Sequence, residues 1–475
     1  MQRALRELLT EKQFRILLLL SVVARMIAIY LYHPAPINDA QDYLLLAERI
    51  SRFDLSADQG FRTPVYPLFL ALLGSNLWAV YLVQSLIGIV ISILLYVMFR
   101  QVSGNCYVAL TCASFYAVNP SSLLFEAAIM TETLSTFLIV LTVFLAMRIL
   151  DNEDLKPSAF FMLGLVSSLA GLTRPPFQLL PLVLLAVLLY LFYLRGKVYR
   201  RKTVVISVTC LLIPFLVLIL GWSALNKARF NWFTLTTAAG YNLTNHSGKF
   251  IELAPPEYKV ITDAYVPHRD AKGMTPGVIN KAIPTIRAAT GWSYAELSRK
   301  LASMSYDLFL HHPISYGFSV IQSMGLFLFP ALYYDGYSIK GFFRLEEPAL
   351  IYAYAFFYMS LMAAFVIILL RISFKFKRHR KLLTGDFVIF LVIFVYTAVV
   401  TSMVEFGENA RYKFPVEALL LGWTIYLIYA LRTPSNGHPL IGPVLKFARS
   451  VHAGAKSYSF KGMKFWRSVD KPIPR

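Results

Sequence analysis

The sequence predicts an all-α polytopic membrane protein, a bundle of about ten spanning helices. Three observations carry that reading. Hydrophobic residues make up 57% of the chain and charged residues only 15%, against about 25% charged in soluble domains. Several apolar runs reach the roughly 20 residues needed to cross the bilayer core. Basic residues gather in short stretches beside those runs, as they do in cytoplasmic loops.

The candidate spans are roughly 14–33, 77–99, 105–119, 131–149, 159–173, 177–194, 203–224, 349–370, 386–403 and 414–431. The third and fifth are short for a full crossing. The first is too long for a cleavable signal peptide and lacks a small-residue cleavage site, so it is read as helix one. The N-terminus carries Arg3, Arg6, Lys12 and Arg15. RGKVYRRK (195–202) carries five basic residues, RISFKFKRHRK (371–381) six, and the tail after Leu431 nine against the single acid Asp470. All four clusters are expected in the cytoplasm. Counting YGFSVIQSMGLFLFPALYY (316–334) as a span would put 371–381 outside, so it is read as a re-entrant or interfacial helix.

The expected organisation has four parts. Residues 1–224 form an N-terminal transmembrane module, with a first outer loop at 34–75. Residues 225–348 form an extracytoplasmic segment, with an amphipathic helix from Ala295 to His311 stopped by Pro313. Residues 349–431 return to transmembrane helices, and 432–475 form a basic cytoplasmic tail that touches lipid headgroups. Both termini are expected in the cytoplasm of a plasma or inner membrane, with the outer segments carrying function. The net charge of +20 would suggest nucleic acid in a soluble protein. Here it sits beside apolar runs and reads as contact with anionic lipid; no nucleic-acid motif is present. Cys106, Cys112 and Cys210 read as buried neutral thiols, without disulfide or zinc spacing. The outer sequons at Asn242 and Asn245 matter only in a glycosylating host.

Five stretches place ionisable residues near span ends. In NDAQDYLLLAERI, Asp39, Tyr43 and Leu46 share one helical face. Asn38 or Asp39 caps that helix, or Asp39 is a catalytic carboxylate beside Asp42. In GFRTPVYP, Arg62 either binds phosphate bidentately or snorkels to headgroups. In NPSSLLFEAAIMTET, Glu126 and Glu132 flank the turn between spans three and four. Glu132 either serves the helix dipole or lies in a cleft beside Asp39. Arg174, in GLTRPPF, is an intramembrane cation and is read as functional. EFGENARYKFP reads mostly as a solvated connection, with Arg411 its inward-facing cation. Arg25 is expected to be paired or snorkelling. His246, His311 and His312 are expected outside, free to ligate or shuttle protons, but no metal spacing is present. Carboxylates and arginines converging on one side of the membrane suit transfer from a lipid-linked phosphate donor. A carboxylate takes the acceptor proton while arginines hold the leaving phosphate.

In order and location these residues resemble the GT-C superfamily of membrane glycosyltransferases, in its broad protein-mannosyltransferase-like branch. That branch includes protein O-mannosyltransferases, lipid A aminoarabinose transferases and rhizobial core-oligosaccharide transferases. The matching features are Asp39-x-x-x-Tyr43, Arg62 before a Pro-rich stretch, Asn119-Pro120 leading to Glu132, Arg174-Pro175, and Arg411-Tyr412 with Pro415. They cover residues 1 to about 200 and about 400–431; the outer segment 225–349 matches no member. The resemblance implies a GT-C-like bundle with extracytoplasmic interfacial helices and a polyprenyl-monophosphate-sugar donor. It implies inversion at the anomeric carbon and transfer to a hydroxyl of a glycolipid, glycan or protein. Asp39 is then the expected general base, and Glu132 orients the acceptor or a cation. Arg62, Arg174 and Arg411 bind donor phosphate, and Asp42, Tyr43 and Tyr412 complete the substrate site. Some members use a divalent cation and others do not; Glu132 has no adjacent acid, and no metal ligand is assigned. Two other readings stay open: an oligosaccharide ligase or polymerase with a polyprenyl-diphosphate donor, and a lipid or solute transporter. The second is disfavoured because the polar groups lie at one face and no internal repeat is seen.

Overall fold

The computed structural model describes residues 8–56, 58–152, 155–197, 199–273, 275–332, 348–374, 379 and 382–432. The expected tail beyond Arg432, and most of the basic cluster 371–381, lie outside them. The described residues are almost all helical or in turns, with an isolated parallel bridge between Ala35 and Ala128.

Eight helices among the described residues are long and apolar enough to cross a membrane: α1 (Lys12–Leu31), α4 (Leu77–Ser103), α7 (Glu132–Asn152), α9 with its lead-in (Pro175–Leu194), α10–α11 (Arg201–Phe230), α17 (Ile351–Phe374), α18 (Gly385–Val404) and α19 (Asn409–Arg432). The other two expected spans have a different form. The third is broken into α5 (Cys106–Ala117) and α6 (Pro120–Ala127), bent by 47°. Asn119 caps α6 by accepting from Ser121 N–H, and Pro120 occupies its first position, where no amide is missed. The fifth, α8 (Pro157–Thr173), has 17 residues and ends where Pro175 and Pro176 cannot extend it. By length and composition, eight of the expected ten spans qualify as they stand, and a ninth if the bent pair α5–α6 is one span. Pro214 sits within the seventh apolar run, and a π-helical stretch, Phe215–Leu220, follows it, relieving the missing amide by wider winding.

Shape complementarity sets the helix contacts. Gly164 on α8 lets the backbone of α10 at Leu211 approach closer than any side chain would allow. Trp423 on α19 packs among Phe99, Phe387 and Phe390, joining α19, α4 and α18 through one core. A second, smaller core gathers the segment between α11 and α17. It joins α12 (Ala239–Ser247), α13 (Lys259–Lys272), α14 (Val278–Thr290) and α15 (Tyr294–His311) through Tyr241, Ile261, Tyr265, Ile286, Leu297 and Leu301. Ser293 and Glu296 form a capping box that starts α15. The helix α16, Pro313–Phe327, falls where the interfacial helix is expected. Its Ser319, Ser323 and Phe327 face inward, while Ile314, Phe318 and Ile321 are exposed.

Cys112 is buried as expected; Cys106 and Cys210 are only half-buried.

Candidate functional site

Asp39 precedes α2 (Ala40–Ser51), in a turn that follows the segment leaving α1. The residue before it, Asn38, has a positive φ of 51°, a conformation that asparagine tolerates better than most residues. Ala35 donates to Ala127 O and accepts from Ile129 N–H. This bridge aligns two segments, and each carries a carboxylate four residues onward, Asp39 on one and Glu132 on the other. Asp39 does not cap α2 with its side chain. Its carboxylate instead reaches two arginines. Oδ1 is 2.7 Å from Arg62 Nη2, and Oδ2 accepts from Arg411 Nη1 and Nη2 at 3.2 Å.

Arg411 continues the network. Its Nε donates to Glu132 Oε1, which also accepts from Arg174 Nη1 at 2.8 Å, and its Nη1 donates to Glu408 Oε2 at 3.0 Å. Arg62 closes the other end by donating from Nη2 to Asp42 Oδ2 at 2.8 Å. Thus four carboxylates share three guanidinium groups. The network is graded in depth. Glu132 is fully buried and Arg174 and Arg411 nearly so, whereas the Asp39 and Asp42 side chains are 31% and 47% exposed.

Several contacts hold the arginines in place. Tyr43 lies beneath Arg62, with the guanidinium carbon 4.9 Å from the ring centroid, and Tyr412 lies against Arg174 at 4.6 Å; both distances suit cation–π attraction. Thr63 Oγ1 donates to Thr173 O at 3.2 Å, tying the Arg62 loop to the helix end that carries Arg174. Phe61 packs edge-on against Tyr241 and Tyr294, anchoring the same loop on the second core. Burial opposes ionisation of Asp39, but the charges of Arg62 and Arg411 outweigh it and hold its carboxyl below the usual aspartate range. Burial likewise opposes the charge on Arg62, and the neighbouring acids still raise its pKa. Burial pushes the Tyr43 phenol up, so it stays neutral.

The arrangement fits guanidinium better than a metal ion. Each Asp39 oxygen and Oε1 of Glu132 already faces an arginine. Among the described residues no group of three or more His, Cys, Asp or Glu is disposed to hold a cation.

The eight residues singled out in the sequence therefore come together, as two ends and a centre of one network. Other expectations are corrected. Glu126 does not join it. Glu126 Oε1 pairs instead with Arg25 Nη2 at 2.6 Å, with both side chains buried. The stretch 405–413 is not a solvated connection. Glu405, Asn409, Arg411 and Lys413 are all buried, because their charges and amides find partners. Lys413 lies near Glu417 and donates to Phe329 O. His246 is fully buried, with Nδ1 at 2.8 Å from Ser319 Oγ, and burial lowers its pKa to about 4, which removes it as a surface proton shuttle. Asn245 spends its side-chain nitrogen on Glu405 Oε1 at 2.8 Å, so that sequon is engaged internally. One contributor was not foreseen: Glu408 gave no signal beyond its charge.

Residues 65–222 match the family model described as dolichyl-phosphate-mannose-protein mannosyltransferase. No curated protein sequence matches the chain. Among solved structures it is similar to the Archaeoglobus fulgidus oligosaccharyltransferase tethered to an acceptor peptide containing the NVT sequon, at 14% identity over 93% of this chain and 54% of that chain, with a TM-score of 0.43. It is also similar to the archaeal oligosaccharyltransferase AglB from Archaeoglobus fulgidus in complex with an inhibitory peptide and a dolichol-phosphate. That similarity is 14% identity over 93% of this chain and 56% of that chain, with a TM-score of 0.44. The chain spans about half the length of these proteins. The family match bears out the GT-C resemblance over residues 65–222, the stretch of this integral membrane protein that carries Glu132 and Arg174.

Proposed function

We propose that the protein is an inverting glycosyltransferase that moves a sugar from a polyprenyl-monophosphate donor to the hydroxyl of an extracytoplasmic acceptor. One observation carries the reading. Asp39 and Arg411 lie 372 residues apart in sequence, yet they are joined with Glu132, Arg62 and Arg174 in one network at the span ends. Ionisable groups at such depth are costly unless they serve a purpose.

The donor phosphate competes with Asp39 for Arg62 and Arg411, which now clasp that carboxylate from both sides. Once the arginines turn to phosphate, an Asp39 oxygen is free. Without those two charges its pKa is no longer held down, and burial makes the freed carboxylate a better proton acceptor. Asp39 takes the proton of the acceptor hydroxyl as that oxygen attacks the anomeric carbon. The bond from that carbon to the phosphate oxygen breaks on the opposite face, which inverts the centre. Polyprenyl phosphate leaves with one more negative charge, which Arg62, Arg174 and Arg411 stabilise. Glu132, buried between Arg174 and Arg411, orients both and meets the acceptor. Tyr241 and Tyr294 pack on Phe61 of the Arg62 loop, and in this reading their segment selects the acceptor. Both termini are cytoplasmic in this reading, and the network opens to the outer face. The test is sugar transfer by the purified full chain supplied with polyprenyl-phosphate sugars. Transfer by the parent, lost in Asp39→Asn with folding intact, supports the assignment. Transfer at the parental rate by that variant overturns it.

A further inference from the structure

We propose that Gln84 is the positioning residue of this site, fixing the spacing between the segments that deliver Asp39 and Glu132. The inference rests on the transferase reading for its kinetic consequence but not for its structural one. Glu126 and Ala127 end α6 and Ala128 is extended, so the carbonyls here have no donor within the helix and must find partners elsewhere. On one edge Ala127 O accepts from Ala35 N–H, and Ile129 N–H donates to Ala35 O. On the other edge the carbonyls of Glu126 and Ala128 each accept from Gln84 Nε2 at 2.8 Å. The side-chain amide of Gln84 therefore does for one edge what the Ala35 backbone does for the other. Without it, two carbonyls would be left inside the protein with that partner gone, and an unmet buried acceptor is costly.

The same amide reaches the opposite side of the site. Gln84 Oε1 accepts from Tyr66 O–H at 3.2 Å, and Tyr66 stacks edge-on against Tyr43 at 5.2 Å between centroids. Tyr43 is the ring beneath Arg62. One fully buried amide on α4 thus links the bridge that aligns both carboxylates to the aromatic bed of a phosphate-binding arginine. One turn further along α4, Gly88 has no side chain because Glu126 and Arg25 occupy the space, and Arg25 Nε donates to Ser85 O at 3.1 Å. The α4 surface from 84 to 88 is a seat for the 126–129 segment. Gln84 touches no reacting atom and acts through the groups it holds.

The test replaces Gln84 with Met, similar in length and unable to hydrogen-bond in its place. Amide hydrogen exchange of the full chain in detergent is read by mass spectrometry. Faster exchange is expected in peptides covering 33–39 and 127–133, with α18 unchanged. In transfer assays with a polyprenyl-phosphate sugar, kcat falls by about tenfold to a hundredfold while KM for the donor moves little, since all three arginines remain. Unchanged exchange in both segments, or a parental kcat, overturns the proposal. So does exchange that rises evenly through the chain, which is the mark of a purely structural residue. If the Met variant does not fold, Tyr66→Phe removes a single hydrogen bond, and its kcat must fall in the same direction. A parent that transfers no sugar would defeat the proposed reaction, while local exchange in Gln84→Met would still uphold the positioning role.

Discussion

Two ionic clusters lie close together in the chain, and they are built on opposite principles. The Arg25–Glu126 pair is closed. Arg25 spends its remaining nitrogens on the carbonyls of Ser21, Ser85 and Ala117, and neither side chain is more than 3% exposed. The Asp39–Arg411–Glu132 network is open at one end, and its guanidinium groups are shared among more carboxylates than they can serve exclusively. A closed pair has no exchangeable partner and can only hold helices together. A shared network can release one carboxylate to receive a different anion. Charge in a membrane protein is thus read by its partners: the closed cluster holds helices together, and the open one is where we propose that substrate binds.

The contrast is broken most directly at Asp39. Asp39→Asn keeps the shape but cannot take a proton, and kcat is expected to fall by about 10²–10⁴-fold, the range of a general base, with only a modest drop in melting temperature from the lost pairing with Arg62 and Arg411. The counterpart is Arg25→Met, which strands the Glu126 carboxylate. Removing one partner of a buried pair costs about 3–5 kcal/mol, so denaturation should show a large loss while any folded fraction keeps its kcat. If Arg25→Met slows transfer without destabilising the protein, the division between the clusters fails. A smaller effect is expected from Arg62→Lys. The point charge survives but the fork between Asp39 and Asp42 does not, and KM for the donor should rise while kcat falls about tenfold. A rise in KM with kcat unchanged would instead limit Arg62 to binding the donor before reaction.

How much of this was legible depended on whether a residue's cost could be seen locally. Arg62, Arg174 and Arg411 each stand at a span end beside prolines or apolar residues, where an arginine needs a reason, so each could be named from its own neighbourhood. The spans themselves followed from apolar length, and the breaks at Asn119-Pro120 and after Thr173 showed as runs that were too short. Glu126 and Glu132 were not separable in the same way. Both flank the same turn, and only the arrival of Arg25 at one and of Arg174 and Arg411 at the other assigns their roles. The stretch 405–413 looked solvated because its letters are charged, yet mutual pairing lets those charges be buried. Gln84 was invisible, since an amide gains meaning only from the carbonyls that tertiary structure brings to it. The second core was legible only at α15, where an amphipathic period and a stop at Pro313 coincide.

The smallest effect expected concerns Glu405, which sits beside the open network without sharing its arginines directly. Its carboxyl is 5% exposed, and Oε1 accepts from Asn245 Nδ2 and from Phe406 N–H. Burial, reinforced by the charge of Glu408, pushes its pKa up to about 8 from an ordinary 4.5. The folded protein therefore holds this proton more tightly than the unfolded chain does. Its contribution to stability is complete below about pH 4.5, declines as pH rises, and is gone once pH passes about 8. Asp39 runs the other way. Its depressed pKa adds stability that is present above 3.8 and lost only as pH falls through the lower folded value, so it adds no slope between pH 5 and 9. Melting temperatures of the parent and of Glu405→Gln across that range isolate the difference. The variant cannot ionise, and its advantage should grow steadily towards pH 8 and then level off. Parallel curves would mean that Glu405 is already ionised and that its charge is part of the shared network, which would enlarge the open cluster by a fifth acid.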